Sequence, residues 1–211
     1  MFSFRSWLMA KVYDSFMGKT EEKYFSKWRS TLLGNLIGNV LEVGAGTGVN
    51  IYYYPSVISK LTLTEPNPNM LKILSKNAKQ RNDITVEIHK ATVEKLPFPD
   101  NSFDFVVCTF VMCSVISPQK SLSEILRVLK SGGKYIFIEH VANTENNRVY
   151  KWQKRIEPLW KFISGNCHMT RNTVKEIKAS GFEILDLHTD HTRGLPPIIN
   201  PFIRGIAKKH D

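Results

Sequence analysis

Short apolar runs and amphipathic stretches take turns along this chain. Val40, Leu41 and Val43 form a compact run of β-favouring residues, Leu61 to Glu65 and Ile84 to Ile88 alternate apolar with polar, and Phe105 to Cys108 is apolar throughout. Lys134 to Val141, Phe182 to His188 and Phe202 to Lys208 extend the series to seven predicted strands. The unbroken Phe105–Cys108 run has no polar face, as a strand covered on both sides of a parallel sheet requires. Helical spacing fills the gaps. Met70, Leu71, Ile73 and Leu74 make an apolar face behind Asn67, a capping residue, and Pro68, a first-turn proline. Leu122, Ile125, Leu126 and Leu129 recur at i, i+3, i+4, i+7 behind Ser117-Pro118 and stop at Ser131-Gly132-Gly133. Strands and helices in alternation predict an α/β fold.

The turn after the first strand draws the chemistry to itself. Gly44, Gly46 and Gly48 follow Val43 in G-x-G-x-G spacing, and the turn is predicted to open a helix. Glycine is needed where φ is positive, or where a ligand approaches too closely for a Cβ. A plain strand-to-helix turn is the structural alternative, and the spacing alone does not separate the two. Glu65 adds a second signal. A nucleotide-binding α/β unit places an acidic residue at the end of the next strand, about 20 residues on, to accept hydrogen bonds from ribose hydroxyls. Glu65 stands there, and Pro66 ends its strand. The dinucleotide fingerprint G-x-G-x-x-G would need glycine at position 49, where the chain has Val49, and this disfavours a dehydrogenase.

With glycine at 48 instead, LEVGAGTG resembles motif I of the S-adenosylmethionine-dependent methyltransferases of the seven-strand Rossmann-like class. LPFPDNSFD, residues 96–104, is similar to the LPF-x-D-x-SFD stretch of the quinone-biosynthesis type methyltransferases, and LRVLKSGGKYIFIEHV to their LRVLKPGG turn and fifth strand, with Ser131 where proline is usual. VVCTFVMCSV, the E-H-V-A of residues 139–142 and the trio Trp152, Pro158 and Trp160 look like the narrower thiol methyltransferase family.

The resemblance implies a three-layer, Rossmann-like seven-strand sheet, mostly parallel with an antiparallel C-terminal hairpin, and S-adenosyl-L-methionine as cofactor. By the same resemblance Gly44, Gly46 and Gly48 border the amino-acid part of that cofactor, with Glu42 near its amino group. Glu65 and Pro66 lie at the ribose, and Thr92 occupies the position from which an aspartate of many relatives binds the adenine amino group. Cys108, Thr109 and Phe110 sit at the carboxyl end of the fourth strand, where doubly wound sheets form their ligand crevice, and so are expected to line the site. His140 ends the fifth strand on the same edge and is the candidate to orient the acceptor or take its proton; a hydrogen-bonded pair holding the crevice edge is the structural alternative.

Composition adds bounds. At 211 residues, 42% hydrophobic and 23% charged, the chain suits one globular methyltransferase domain over 1–211. Lys and Arg outnumber Asp and Glu by 29 to 19, a formal charge of +10 that admits anionic partners without choosing among them. No nucleic-acid recognition motif accompanies the charge, so nucleic acid is not expected. Cys108, Cys113 and Cys167 show no C-x-x-C spacing, and Cys167-His168 has no partners at ligand spacing, so neither a disulfide framework nor a metal is expected.

Residues 1–35, mixing aromatics with basic residues, are predicted as a helical cap over the cofactor site, with Tyr13 as a lid residue. The Phe2–Met9 patch is interrupted by Arg5 and falls far short of the roughly 20 residues of a membrane span. Its relatives carry a longer hydrophobic anchor. The expected location is cytoplasmic, with peripheral contact at a membrane surface open to an amphipathic helix. Within residues 143–180, Val149, Trp152, Ile156, Leu159 and Trp160 alternate with Arg148, Lys151, Lys154, Arg155 and Lys161 and predict a helix with apolar and basic sides. The resemblance implies that such an insert after the fifth strand is a substrate lid, and a core helix with a solvated basic face is the alternative. The expected activity is methyl transfer to a small-molecule acceptor, first of all a thiol. A phospholipid or quinone acceptor at a membrane surface is the alternative, and a noncatalytic lipid- or RNA-binding module a more distant one.

Overall fold

The computed structural model describes residues 24–192 and 195–210. Seven strands form one sheet: β1 (Gly38–Val43), β2 (Ile58–Thr64), β3 (Val86–His89), β4 (Phe103–Thr109), β5 (Leu129–His140), β6 (Phe182–Asp190) and β7 (Phe202–Lys209), in the order β3-β2-β1-β4-β5-β7-β6. The first five pair in parallel, and β7 runs antiparallel to both β5 and β6. The predicted fold class, including the C-terminal hairpin, is the observed one.

Side chains alternate across β4, and this builds three layers. Val106 and Cys108 join one core with Leu122, Ile125 and Ile177, from α3 (Pro118–Val128) and α5 (Thr173–Ala179). Val107 joins the other with Leu33 of α1 (Ser26–Leu33) and Leu74 of α2 (Pro68–Ala78). The predicted starts of α2 and α3 hold: the Asn67 side chain accepts from the Asn69 and Met70 amides, and that of Ser117 from the Lys120 amide.

Two boundaries differ from the sequence reading. The glycine turn opens only a 3-10 turn, Val49–Tyr53, in place of a helix. Pro55 disfavours helical backbone at the residue before it, and Tyr54 is extended at φ −75 and ψ 134. The predicted helix through Leu129 stops at Val128, because Leu129 is already extended and pairs with Phe103, so Ser131-Gly132-Gly133 lies inside an irregular β5. Of the predicted cap, α1 is described, whereas residues 1–23, Tyr13 and the Phe2–Met9 patch among them, lie outside the described residues. The predicted lid segment, 143–180, contains α4 (Asn147–Ile163) and α5.

Candidate active site

Strand order reverses between β1 and β4, so their carboxyl ends open the crevice typical of such sheets. The three glycines at its lip have positive φ, at 62, 59 and 93 for Gly44, Gly46 and Gly48. They do different work. A Cβ on Gly44 would meet Val111 at 2.5 Å, and one on Gly48 would meet Ile51 at 2.6 Å and Leu74 at 2.8 Å, so a side chain at either would have to displace a packed neighbour. A Cβ on Gly46 would meet nothing within 4 Å among the described residues. That open space beside the half-buried Gly46 is a place where another molecule can come close.

Glu65 closes the loop from the β2 side. It is 5% exposed, its Oε2 accepting from the Gly46 amide at 3.0 Å and its Oε1 from the Asn67 amide at 2.8 Å. Burial raises its pKa, and the two amides oppose the rise. Asn77 of α2 donates to the Thr47 carbonyl at 2.8 Å and ties the loop down from below. Pro66 follows, half-buried, in the bend before α2.

Behind the loop lies a buried polar network that the sequence reading caught only in part. Glu42 accepts from Asn50 Nδ2 at 2.8 Å and from the Tyr54 hydroxyl at 2.7 Å. Burial pushes its pKa up to about 7 against both hydrogen bonds and the Arg29 charge. Arg29 donates to Asn50 Oδ1 and, at 3.0 Å, to Thr109 Oγ1, which also accepts from Asn50 Nδ2 at 3.1 Å. A guanidinium and a carboxylate, 4% and 2% exposed and bridged by one amide, match the two charges of an α-amino acid. Arg29 was not singled out as a site residue, although a signal for it exists: Phe25, Arg29, Leu32 and Leu33 share the buried helical stripe, a position no arginine takes without a partner.

Phe110 turns the chain out of β4 at φ 59, unusual for a residue with a side chain, and its ring packs on Phe25 at 4.8 Å. Cys108 is wholly buried with Sγ 3.4 Å from Glu139 Oε1, so only its backbone can reach a ligand. Glu139 accepts from the amides of Val111, Met112 and Cys113 at 3.0, 2.9 and 3.2 Å and fixes the loop after β4. Its pKa is raised by burial to about 7. Thr92 is exposed, in a turn closed by the Lys95 amide on its own carbonyl at 3.2 Å.

His140 is 5% exposed, and its Nε2 is buried without a hydrogen-bond partner among the described residues. Its Nδ1 lies 4.0 Å from the Cys167 sulfur. Cys167 reaches it because the segment after α4 docks on the β4 exit loop: His168 N donates to Cys113 O at 2.8 Å, and Asn166 Nδ2 to Ser114 O at 2.8 Å. A hydrogen bond from Cys113 draws the Cys167 thiol well below its ordinary pKa, with the His140 ring adding to the effect. Among the described residues no group of three His, Cys, Asp or Glu side chains is arranged to hold a metal.

Residues 41–137 match the methyltransferase domain family. The chain is 39% identical over 208 residues to the thiol S-methyltransferase TMT1B of Rattus norvegicus, covering 96% of this chain and 83% of the relative. It is 32% identical over 200 residues to the thiol S-methyltransferase TMT1A of Homo sapiens, covering 94% and 82%. The crystal structure of geranyl diphosphate C-methyltransferase from Streptomyces coelicolor A3(2), in complex with Mg2+, geranyl diphosphate and S-adenosyl-L-homocysteine, is similar at a TM-score of 0.71 and 14% identity, over 87% of this chain and 78% of that one. That last likeness is one of fold.

Proposed function

The chain belongs to the S-adenosylmethionine-dependent methyltransferases, in the family of the thiol S-methyltransferases, and from that premise we propose that it transfers a methyl group to the sulfur of a small thiol. The observation that carries this reading is the 39% identity to a thiol S-methyltransferase across 96% of the chain. The same reading takes residues 1–211 as one methyltransferase domain in a cytoplasmic setting, with 143–180 covering the acceptor.

The crevice fits the cofactor on its own geometry: open space at Gly46, a buried carboxylate at Glu65, and paired opposite charges at Arg29 and Glu42. In this reading Glu42 and Arg29 hold the amino and carboxylate groups of the amino-acid end, with Gly44 and Gly48 keeping the loop in shape. Glu65 and Pro66 border the ribose, Thr92 the adenine, and Thr109 and Phe110 the floor. When bound, S-adenosylmethionine supplies an electrophilic sulfonium methyl group, and its product is S-adenosylhomocysteine.

The protein's remaining task is to align an acceptor, exclude water and remove one proton. A thiol attacks as its thiolate. His140 Nε2, buried and without a partner among the described residues, is the group that accepts the thiol proton, while the contact at Nδ1 with Cys167 holds the ring. His140→Gln is therefore expected to lower kcat/KM for a small thiol by about 100-fold near neutral pH, within the range of general-base effects. Its affinity for S-adenosylhomocysteine should be unchanged. The deficit should shrink above about pH 8.5, where free thiols ionise unaided. A pH-rate profile parallel to that of the parent chain would remove His140 from the proton transfer.

A phospholipid or quinone acceptor at a membrane surface is the second reading, favoured by the basic and aromatic surface of α4. The deciding experiment measures S-adenosylhomocysteine release with small thiols, with lipid acceptors and with no acceptor. Turnover with thiols supports the first reading, and turnover only with lipids replaces it by the second. Tight cofactor binding without turnover on any acceptor points to a noncatalytic module.

A further inference from the structure

The outer side of α4 carries an apolar stripe at the protein surface. Trp152, Leu159, Phe162 and Ile163 are 54%, 64%, 61% and 55% exposed, whereas Gln153 is the buried residue of this helix. Trp152, Ile156, Leu159 and Ile163 recur at i, i+4, i+7, i+11 and so fall along one face. Four of the ten large apolar side chains that stand exposed among the described residues belong to this one helix, which makes a patch rather than the usual scatter.

Cations border the patch. Arg148, Lys151, Lys154 and Arg155 are exposed on α4, and the Arg155 guanidinium lies 5.8 Å over the Trp152 ring. The helix's single carboxylate, Glu157, is turned inward, accepting from the Thr170 amide at 2.8 Å and lying 3.3 Å from His168 Nδ1. The nearest exposed acid in sequence, Glu145, precedes the helix and lies 3.9 Å from His191 Nε2. The helix is also held in place from behind: Gln153 accepts from the Asn143 amide at 2.8 Å and donates to the Ile198 carbonyl at 3.0 Å.

We propose that α4 is an interfacial helix by which the protein docks on an anionic membrane surface, Trp152, Leu159 and Ile163 entering the headgroup region and Arg148, Lys151, Lys154 and Arg155 meeting lipid phosphates. The charge pattern selects this partner. Exposed cations without an exposed acid on the helix are complementary to anionic lipid, and aliphatic side chains among them gain from leaving water at the headgroup boundary. Nucleic acid would use the cations but leave Leu159 and Ile163 unburied. Because the segment following α4 is bonded to the β4 exit loop at Cys113 and Ser114, docking here brings the carboxyl edge of the sheet close to the lipid.

The test is flotation of the full chain with phosphatidylcholine vesicles, with and without phosphatidylserine, at low and at high salt. The expected result is binding that needs phosphatidylserine and weakens at least about tenfold at high salt, as screening of several cation–phosphate contacts implies. The double variants Trp152→Glu/Leu159→Glu and Arg148→Glu/Arg155→Glu should each lower vesicle partitioning by at least about tenfold, on the same grounds. Both should keep the parent's affinity for S-adenosylhomocysteine, which reports that they are folded. The proposal is overturned by a parent chain that ignores anionic vesicles, by equal binding to vesicles without phosphatidylserine, or by variants that bind as the parent does. A parent dimer that Trp152→Glu/Leu159→Glu dissociates would overturn it too, assigning the stripe to a second copy of the chain.

Discussion

Gly46→Val is expected to abolish most of the cofactor affinity while leaving the protein folded: binding of S-adenosylhomocysteine falls by about 100-fold, or about 3 kcal/mol. A valine Cβ at this position projects into the open space that we give to the ligand, and meets no atom of the described residues within 4 Å. The folded protein bears only the strain of a side chain at φ 59, roughly 1–2 kcal/mol. The amide of residue 46, and with it the bond to Glu65, is kept. Gly48→Ala is the contrasting variant. Its methyl would fall 2.6 Å from Ile51 and 2.8 Å from Leu74, so its main effect is a lower melting temperature, with weaker binding following from a displaced loop. Calorimetric titration and thermal unfolding of both variants separate the roles. A Gly46→Val protein that binds S-adenosylhomocysteine as tightly as the parent would refute the assignment of this loop to the cofactor.

The contrast between those glycines marks what was legible in the sequence. Period and punctuation gave the strands, their caps and the sheet class, because each element carries its own signal: alternation across β2, an unbroken apolar run in β4, Asn67 and Ser117 at helix starts. Glycine spacing located the loop, but spacing is blind to which glycine faces a neighbour and which faces open space. The sequence predicts a helix where the 3-10 turn Val49–Tyr53 stands, because Pro55 acts backwards on Tyr54, beyond the window in which Val49 to Tyr53 look helical.

The site itself is assembled from contacts distant along the chain, which no local pattern records. Arg29 meets Asn50 and Thr109 across 21 and 80 positions, and Cys167 meets His140 across 27. Glu139 shows the same limit from the other direction. Beside His140 it reads as half of a hydrogen-bonded pair at the crevice edge, yet its carboxylate is engaged by three amides of the loop after β4. That loop then presents Cys113, and the segment of Cys167 docks on it. Consecutive residues of a strand face opposite sides of the sheet, so Glu139 and His140 serve different surroundings, and among the described residues His140 Nε2 has no hydrogen-bond partner.

Glu42→Gln is expected to make the protein more stable above neutral pH and worse at holding its cofactor. Burial raises the Glu42 pKa to about 7 from the ordinary 4.5, so between those values the folded protein holds a proton that the unfolded chain has released. The stability contributed is present below about pH 4.5 and is lost as pH rises through about 7. The gap corresponds to about 3 kcal/mol. Glutamine imitates the protonated acid: its oxygen can accept from Asn50 Nδ2, and its amide can donate to the Tyr54 oxygen. The variant should therefore melt above the parent at pH 8 and alongside it at pH 4.5. Glu139, raised to about 7 by burial, has the same sign, and His168, held below its ordinary value by burial, has the opposite one. Both are present in the two proteins, so their difference isolates Glu42. Cofactor binding should move the other way. A carboxylate that pairs with an amino group must be ionised, so the parent's affinity for S-adenosylhomocysteine should tighten as pH rises through about 7. The variant's should stay weak by about tenfold and flat, an amide forgoing the charge-assisted part of the bond. Equal melting of the two proteins at pH 8 would mean that the Arg29–Asn50 network already offsets the burial of this charge.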